Sequence, residues 1–251
     1  MVQPGCVARL GDFVYFVGHA SGSGGGNVSL YRAGISSGTG AARISDLPTG
    51  GVSNFTAGNL VATGSGGLYL DSSTGKGDAT LWAVDGATGA SPAARAVADL
   101  QPLNSTYVPQ GFASLGSAAV FVNYDAATGW EVWRSGGTSG GTGPVADVCP
   151  DTLPSRPSYP AAFGGRALFV ADDGVHGAEP WVSDGTAAGT RMLKDIVPGA
   201  GGSDSWQYAT QFAAAGDRAF FVATDPTTGA ALWVTDGSEA GTRLVRDVRG
   251  R

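Results

Sequence analysis

The chain repeats one unit of about 50 residues five times, and that periodicity decides what it can fold into. The aromatic residue of the third apolar run in each unit is Tyr31, Trp82, Trp133, Trp181 and Trp233, at intervals of 51, 51, 48 and 52. The acid ending the fourth run is Asp46, Asp99, Asp147, Asp195 and Asp247, at intervals of 53, 48, 48 and 52. The aromatic of the second run is Phe16, Tyr69, Phe121, Phe169 and Phe221. Three anchors hold one register through all five units.

The fourth unit shows the internal plan. Residues 159–163, 167–171, 180–183 and 190–196 are short apolar runs, separated by Gly164-Gly165, by the polar stretch 172–177 and by a turn opening on Asp184-Gly185-Thr186. Runs of this length between Gly and Asp turns predict strands joined by hairpins, and no segment has helical period. Each unit therefore reads as an antiparallel four-stranded meander, a-b-c-d. The 42 glycines of the 251 residues fall at fixed places between apolar runs and serve as turn punctuation.

Runs such as Leu168-Phe169-Val170 and Phe220-Phe221-Val222 are apolar at every position. A sheet with one wet face would alternate. Sheets covered on both faces and repeated radially are the blades of a propeller. The expected fold is all-β: a single β-propeller domain over 1–251, with five four-stranded antiparallel blades at about 5–49, 53–101, 109–149, 159–197 and 209–249. A stacked solenoid is the alternative. Five whole units leave no spare strand to cross a ring seam, so either a five-blade ring closes by packing alone or the chain is an excerpt of a longer array.

The formal net charge of −6 disfavours a phosphate-backbone partner, so no nucleic acid is expected. Only Lys76 and Lys194 are lysines, an arginine bias attributable to genome composition. No run of 18 apolar residues occurs, so no membrane insertion is expected, and the N-terminus lacks the features of a signal peptide. Cys6 and Cys149 fall in different units and read as unpaired thiols.

The stretches Trp181-Val182-Ser183-Asp184-Gly185-Thr186-Ala187-Ala188-Gly189-Thr190 and Trp233-Val234-Thr235-Asp236-Gly237-Ser238-Glu239-Ala240-Gly241-Thr242 resemble the bacterial ELWxxDGTxxGT repeat. The flanks Leu193-Lys194-Asp195-Ile196 and Val245-Arg246-Asp247-Val248 fit it, as does Asp172-Asp173-Gly174 before Glu179. In the third unit Gly136-Gly137-Thr138 replaces the Asp-Gly-Thr, and the first two units keep only the strand pattern. The resemblance implies secreted or cell-surface bacterial proteins, often in long repeat arrays, and no established activity. Blade number and unit length are also similar to five-bladed lectins of the tachylectin type, an analogy of architecture.

Most chemistry-bearing residues have a plainer role. Asp184 and Asp236 suit hairpin turns, because an Asp side chain bonds the backbone two residues on. The sialidase Asp box sits at a similar turn with different spacing, and no arginine triad accompanies it here. The Asp195-type acid recurs in all five units and is expected to accept hydrogen bonds from neighbouring turns. Asp172, Asp173, His176 and Glu179 have donors for a cation but match no standard loop, so no metal and no cofactor is expected. The third-run aromatics are expected to pack between blades.

Meander geometry puts the b–c and d–a loops on one face, where length and composition vary most. Variable loops on a rigid scaffold are where function resides. Candidate ligand-binding residues there are Trp130, Trp206, Tyr107, Tyr124, Glu131, Asp173 and His176, with Trp130 and Trp206 read as lying outside the repeat register in polar loops. No catalytic residue is assigned. The favoured function is a non-catalytic extracellular or cell-surface binding or scaffold module, a monomer or part of a longer array, whose partner is a protein or a glycan. A lectin-like carbohydrate-binding propeller is the alternative. An extracellular glycan hydrolase is third, since it needs two convergent carboxylates and none are evident.

Overall fold

A computed structural model describes residues 7–19, 28–36, 40–47, 59–64, 66–73, 79–100, 109–150, 155–158, 160–203 and 211–246. All regular structure in them is β, apart from one short 3₁₀ turn at Ser139–Gly141. There are five four-stranded sheets, each in the order in which its strands occur along the chain. The first comprises β1 (Val7–Leu10), β2 (Phe13–His19), β3 (Val28–Gly34) and β4 (Ala42–Leu47). The second comprises β5 (Leu60–Ala62), β6 (Leu68–Ser73), β7 (Ala79–Asp85) and β8 (Ala93–Asp99). The third is β9 (Gln110–Leu115), β10 (Ala118–Asp125), β11 (Gly129–Ser135) and β12 (Thr142–Pro144). The fourth is β13 (Ala161–Phe163), β14 (Arg166–Asp172), β15 (Ala178–Ser183) and β16 (Arg191–Met192). The fifth is β17 (Ala213–Ala215), β18 (Arg218–Asp225), β19 (Gly229–Thr235) and β20 (Arg243–Arg246). The meander expected from the run pattern is the observed one.

The chain divides into two compact units. One holds residues 1–112, 116–119 and 135–142; the other holds 113–115, 120–134 and 143–251. In the first unit, Leu10, Tyr15, Val17 and Leu30 of the first sheet share a core with Leu60, Leu68, Leu70 and Val84 of the second. In the second unit, Leu168, Val170 and Val182 of the fourth sheet pack with Phe221, Ala231 and Trp233 of the fifth.

Register exposes one error in the sequence pattern. Phe16 lies opposite Tyr31, Phe169 opposite Trp181, and Phe221 opposite Trp233. In the second sheet, however, Leu70 rather than Tyr69 lies opposite Trp82. The aromatic signal there sits one residue off, on the other face of the strand. The c–d pairs of the first, second and fifth sheets each carry a register shift at the anchor aromatic, between Leu30 and Tyr31, Leu81 and Trp82, and Leu232 and Trp233. Such a bulge adds local twist at the same place in each repeat.

The c–d turn explains the Asp-Gly-Thr-x-x-Gly-Thr pattern atom by atom. Asp236 Oδ1 accepts from the Ser238 backbone N–H and hydroxyl, and Ser238 Oγ accepts from Gly241 N–H. Thr242 donates to the Ser238 carbonyl and pairs with the Thr235 hydroxyl at 2.8 Å, while Thr235 Oγ1 accepts from Gly237 N–H. The fourth sheet repeats the set with Asp184, Thr186, Gly189, Thr190 and Ser183. The third sheet keeps it through Thr138, Thr142 and Ser135 with Gly136 in the Asp position. Its motif is degraded only in the carboxylate. Gly185 is required twice over: its φ is +86°, and a Cβ there would lie 2.6 Å from Leu115 Cδ2.

The arginine bias also has a structural use. Arg32 donates to the carbonyls of Gly89 and Ala90 in the next sheet's turn. Arg95 donates to Gly137 O at 2.6 Å, and Arg166 and Arg191 donate to Gly237 O at 3.3 and 3.0 Å. A guanidinium has the reach and several donors needed to satisfy a turn carbonyl of the adjacent sheet. Genome composition is not needed to account for these arginines.

Thr242 is the hub of its turn and is buried. Thr242→Val removes a hydroxyl making two hydrogen bonds and should lower stability by about 1–2 kcal/mol. Urea unfolding is the measurement, and an unchanged midpoint would show that the turn holds without it.

Candidate functional site

The second unit brings five of the seven sequence-selected residues to the b–c ends of the third and fourth sheets. Trp206 and Tyr107 lie outside the described residues, as do Cys6 and most of the loops at 20–27, 74–78, 101–108, 151–154 and 204–210. Tyr124 is the penultimate residue of β10 and Trp130 the second of β11, both half-buried, with ring centroids 5.8 Å apart in an edge-to-face arrangement. The hairpin joining them is tight: Asp125 Oδ1 accepts from Ala127 N–H. Trp130 is therefore a strand residue and not a loop residue. It stands where Ala178 stands in the fourth sheet, one residue before the glutamate, inside the repeat register.

Glu131 is not on the accessible face. It lies in β11 and is 0% exposed. Its Oε2 accepts from the Ser155 hydroxyl at 2.8 Å and from Val148 N–H, and the same hydroxyl reaches Trp130 O. Glu179 repeats this in the next sheet, in register: it accepts from the Ser203 hydroxyl at 2.6 Å and from Val197 N–H. Each serine follows its glutamate by 24 residues. The pair ties strand c to the segment leaving strand d, so it is a clasp. The Glu-x-Trp spacing with a serine at constant distance was the available signal, and two occurrences are few to notice among many serines.

Burial pushes the Glu131 carboxyl up from 4.5 to about 7, against the lowering effect of its Ser155 and Val148 hydrogen bonds. Glu179 is raised for the same reason. Neither is free to act on a ligand. Cys149 is a free, buried thiol. Burial first, and then the charges of Asp172, Glu131, Asp147 and Asp173, hold its pKa above the ordinary value. A protonated, enclosed thiol is a poor nucleophile.

The fourth sheet's b–c loop is built around its two acids. Asp172 Oδ1 accepts from Gly174 N–H, and Asp173 Oδ1 accepts from Val175 and His176 N–H. Asp173 Oδ2 meets His176 Nδ1 at 2.7 Å. Burial raises the Asp173 pKa, but the His176 and Val175 contacts outweigh it and the net shift is downward. The Asp173 hydrogen bond raises His176. The His176 side chain remains 36% exposed. Among the described residues, no group of three or more His, Cys, Asp or Glu side chains is placed to hold a metal.

No family model matches the chain, and no curated protein sequence matches it. Solved structures do. One from a study of two prolyl endopeptidases aligns over 96% of this chain and 34% of its own, with a TM-score of 0.59 and 17% identity. Prolyl oligopeptidase B from Galerina marginata aligns over 94% of this chain and 32% of its own, with a TM-score of 0.55 and 12% identity. The protein lmo1340 from Listeria monocytogenes EGD-e aligns over 95% and 67%, with a TM-score of 0.50 and 13% identity. The chain thus spans about a third of the length of the peptidases it resembles. The fold is all-β and propeller-like. At these identities the likeness concerns fold alone.

Glu131 supplies a pH test. Unfolded, its carboxyl loses a proton near 4.5; folded, it keeps it to about 7. Between those values the folded state binds more protons, so stability present below pH 4.5 is lost as pH rises through about 7. The loss is on the order of 3 kcal/mol. Urea midpoints should fall from pH 5 to pH 8, and fall clearly less in Glu131→Gln. Parallel profiles would show that Glu131 ionises normally.

Proposed function

We propose that the chain is a non-catalytic binding module of a propeller-type scaffold, exported to the cell surface or beyond, whose ligand docks at the b–c ends of the third and fourth sheets. One observation carries this reading. The acids that would do chemistry are consumed by the scaffold, while Trp130 and Tyr124, in edge-to-face contact on the third sheet, and His176 on the fourth keep accessible surface at the b–c ends. Asp184 and Asp236 are taken up by turn hydrogen bonds, and Glu131 and Glu179 by buried serine clasps. A glycosidase needs two carboxylates converging on one bond, and these four are committed elsewhere.

The turn geometry in the third, fourth and fifth sheets supports the resemblance to the ELWxxDGT repeat and with it an extracellular setting. The ligand is a protein or a glycan. The glycan reading rests on the Tyr124–Trp130 pair, because an indole beside a phenol offers an apolar face and a polar rim to a sugar ring. The peptidase activities named for the structural neighbours belong to chains about three times as long and are not carried over.

Glycan-array binding followed by titration tests the site. Trp130→Ala should weaken any bound glycan or protein partner by about 2 kcal/mol, as loss of a tryptophan anchor does, with the circular dichroism spectrum unchanged. Binding at full strength in Trp130→Ala would place the site elsewhere.

A further inference from the structure

The glutamate–serine clasps reach beyond one sheet. The Ser155 hydroxyl donates to Glu131 Oε2 at 2.8 Å and lies 3.0 Å from Trp130 O, both on β11. The Ser155 carbonyl accepts from Asp172 N–H at 2.9 Å, at the end of β14 in the fourth sheet. Ser203 stands in the same place between the fourth and fifth sheets. Its hydroxyl donates to Glu179 Oε2 at 2.6 Å and its N–H to Ala178 O at 2.9 Å, while its carbonyl accepts from Thr224 N–H at 2.8 Å, in β18. Asp172 and Thr224 are equivalent, each three residues past the strand b aromatic that faces the tryptophan. Each serine therefore ties strand c of one sheet to strand b of the next, and a glutamate holds the serine.

These joints are closed to water. Glu131, Glu179 and Ser155 are 0% exposed, and Ser203 is 2% exposed. At the second joint backbone meets backbone: a Cβ on Gly202 would lie 2.4 Å from Ala178 N, and one on Gly177 would lie 2.6 Å from Gly202 N. Glu131 Oε1 has no hydrogen-bond partner among the described residues. A charge on this carboxyl would be met on one oxygen only, which is costly in a buried place. Asp147, after β12, acts on Glu131 with like charge, and Asp195, after β16, does the same to Glu179. Cys149 is within reach of Glu131, Asp147, Asp172 and Asp173 together. His176 acts on Glu179 with the opposite sign. Asp172 and Asp225 turn to their own loops, where they accept from Gly174 N–H and from Thr227 and Thr228 N–H.

We propose that the two clasps are a proton latch: with both glutamates neutral they lock the third, fourth and fifth sheets to one another, and ionisation frees the serines and opens the two joints. An open joint gives the carboxyl to water. Glu131 then ionises near 4.5, against about 7 in the closed joint. Closing binds a proton between those values, so the latch is tightest below pH 4.5 and loosens as pH rises through about 7. Glu179 is raised in the same direction, so both joints respond in one sense. The proton comes from water and returns to it. The inference does not depend on the ligand site.

Amide hydrogen exchange, read residue by residue at pH 5 and pH 8 and corrected for the intrinsic rate, tests it. Protection at Asp172 and Thr224 should fall by up to roughly a hundredfold between the two. The central amides of β14 and β18 should lose less. Glu131→Gln should abolish the fall at Asp172 and leave that at Thr224, and Glu179→Gln should do the reverse. Equal protection at the two pH values overturns the proposal, as does a fall no larger than at the strand centres or one that persists in the matching glutamine variant. Should either variant fail to fold, the comparison within the parent chain decides alone.

Discussion

Everything in this structure depends on one contact: the aromatic face of a sheet laid on the aliphatic face of the sheet before it. A four-stranded meander of short strands cannot bury both faces by itself, and a lone sheet of this size is marginal in water. Stacking Phe221 and Trp233 on Leu168, Val170 and Val182 removes both surfaces from solvent at once. The spacing of the anchors in sequence follows from this, because each unit must present its aromatic pair at the same height on the sheet. The bulge at Tyr31, Trp82 and Trp233 is part of the same arrangement, since it adds twist where the large side chain leaves the sheet.

The turns hold the second level. Thr235 and Thr242, or Ser135 and Thr142, close the c–d connection with hydroxyls and leave the carbonyls of Gly237 and Gly137 to donors from outside the turn. Arg95, Arg166 and Arg191 then reach from the preceding sheet to those carbonyls. The carboxylate of the motif tightens the turn but does not define it, as the third sheet shows with Gly136 in its place. Position-by-position decay of a repeat can therefore leave its geometry intact, provided the residues with two hydrogen-bond duties remain.

Much of the fold was legible in the sequence because its signals are periodic and local: apolar runs, glycine turns and hydroxyl motifs. What was not legible is non-local. Glu131 looked like a loop acid because it follows Gly129 and Trp130, yet its fate is decided by Ser155, 24 residues on. Trp130 looked displaced from the register because its counterparts Ala178 and Ala230 are small, which hides an aligned position behind a change of size. Tyr69 was taken as an anchor because it is aromatic, although Leu70 occupies the register place. The run Phe220-Phe221-Val222 suggested burial on both faces, but Phe221 is buried and Val222 exposed, a difference that an unbroken apolar run does not record. Among the candidate ligand residues, Tyr124, Asp173 and His176 were recognisable by type and position; that Asp173 and His176 hold each other at 2.7 Å needed coordinates.

A scaffold that spends acids, hydroxyls and arginines on turns and clasps constrains how such repeats diversify. Residues with two structural duties, such as Thr242 or Ser155, cannot change without loss at both ends. Freedom is left to side chains that begin or end a strand and touch one neighbour. Trp130 is of this kind: its backbone carbonyl serves the Ser155 clasp whatever the side chain is, as the Ala178 carbonyl serves Ser203. A tryptophan can therefore replace an alanine there without disturbing the clasp. The repeat thus offers the same graftable position in each sheet that carries the glutamate, where the side chain can change while the clasp beneath stays unchanged.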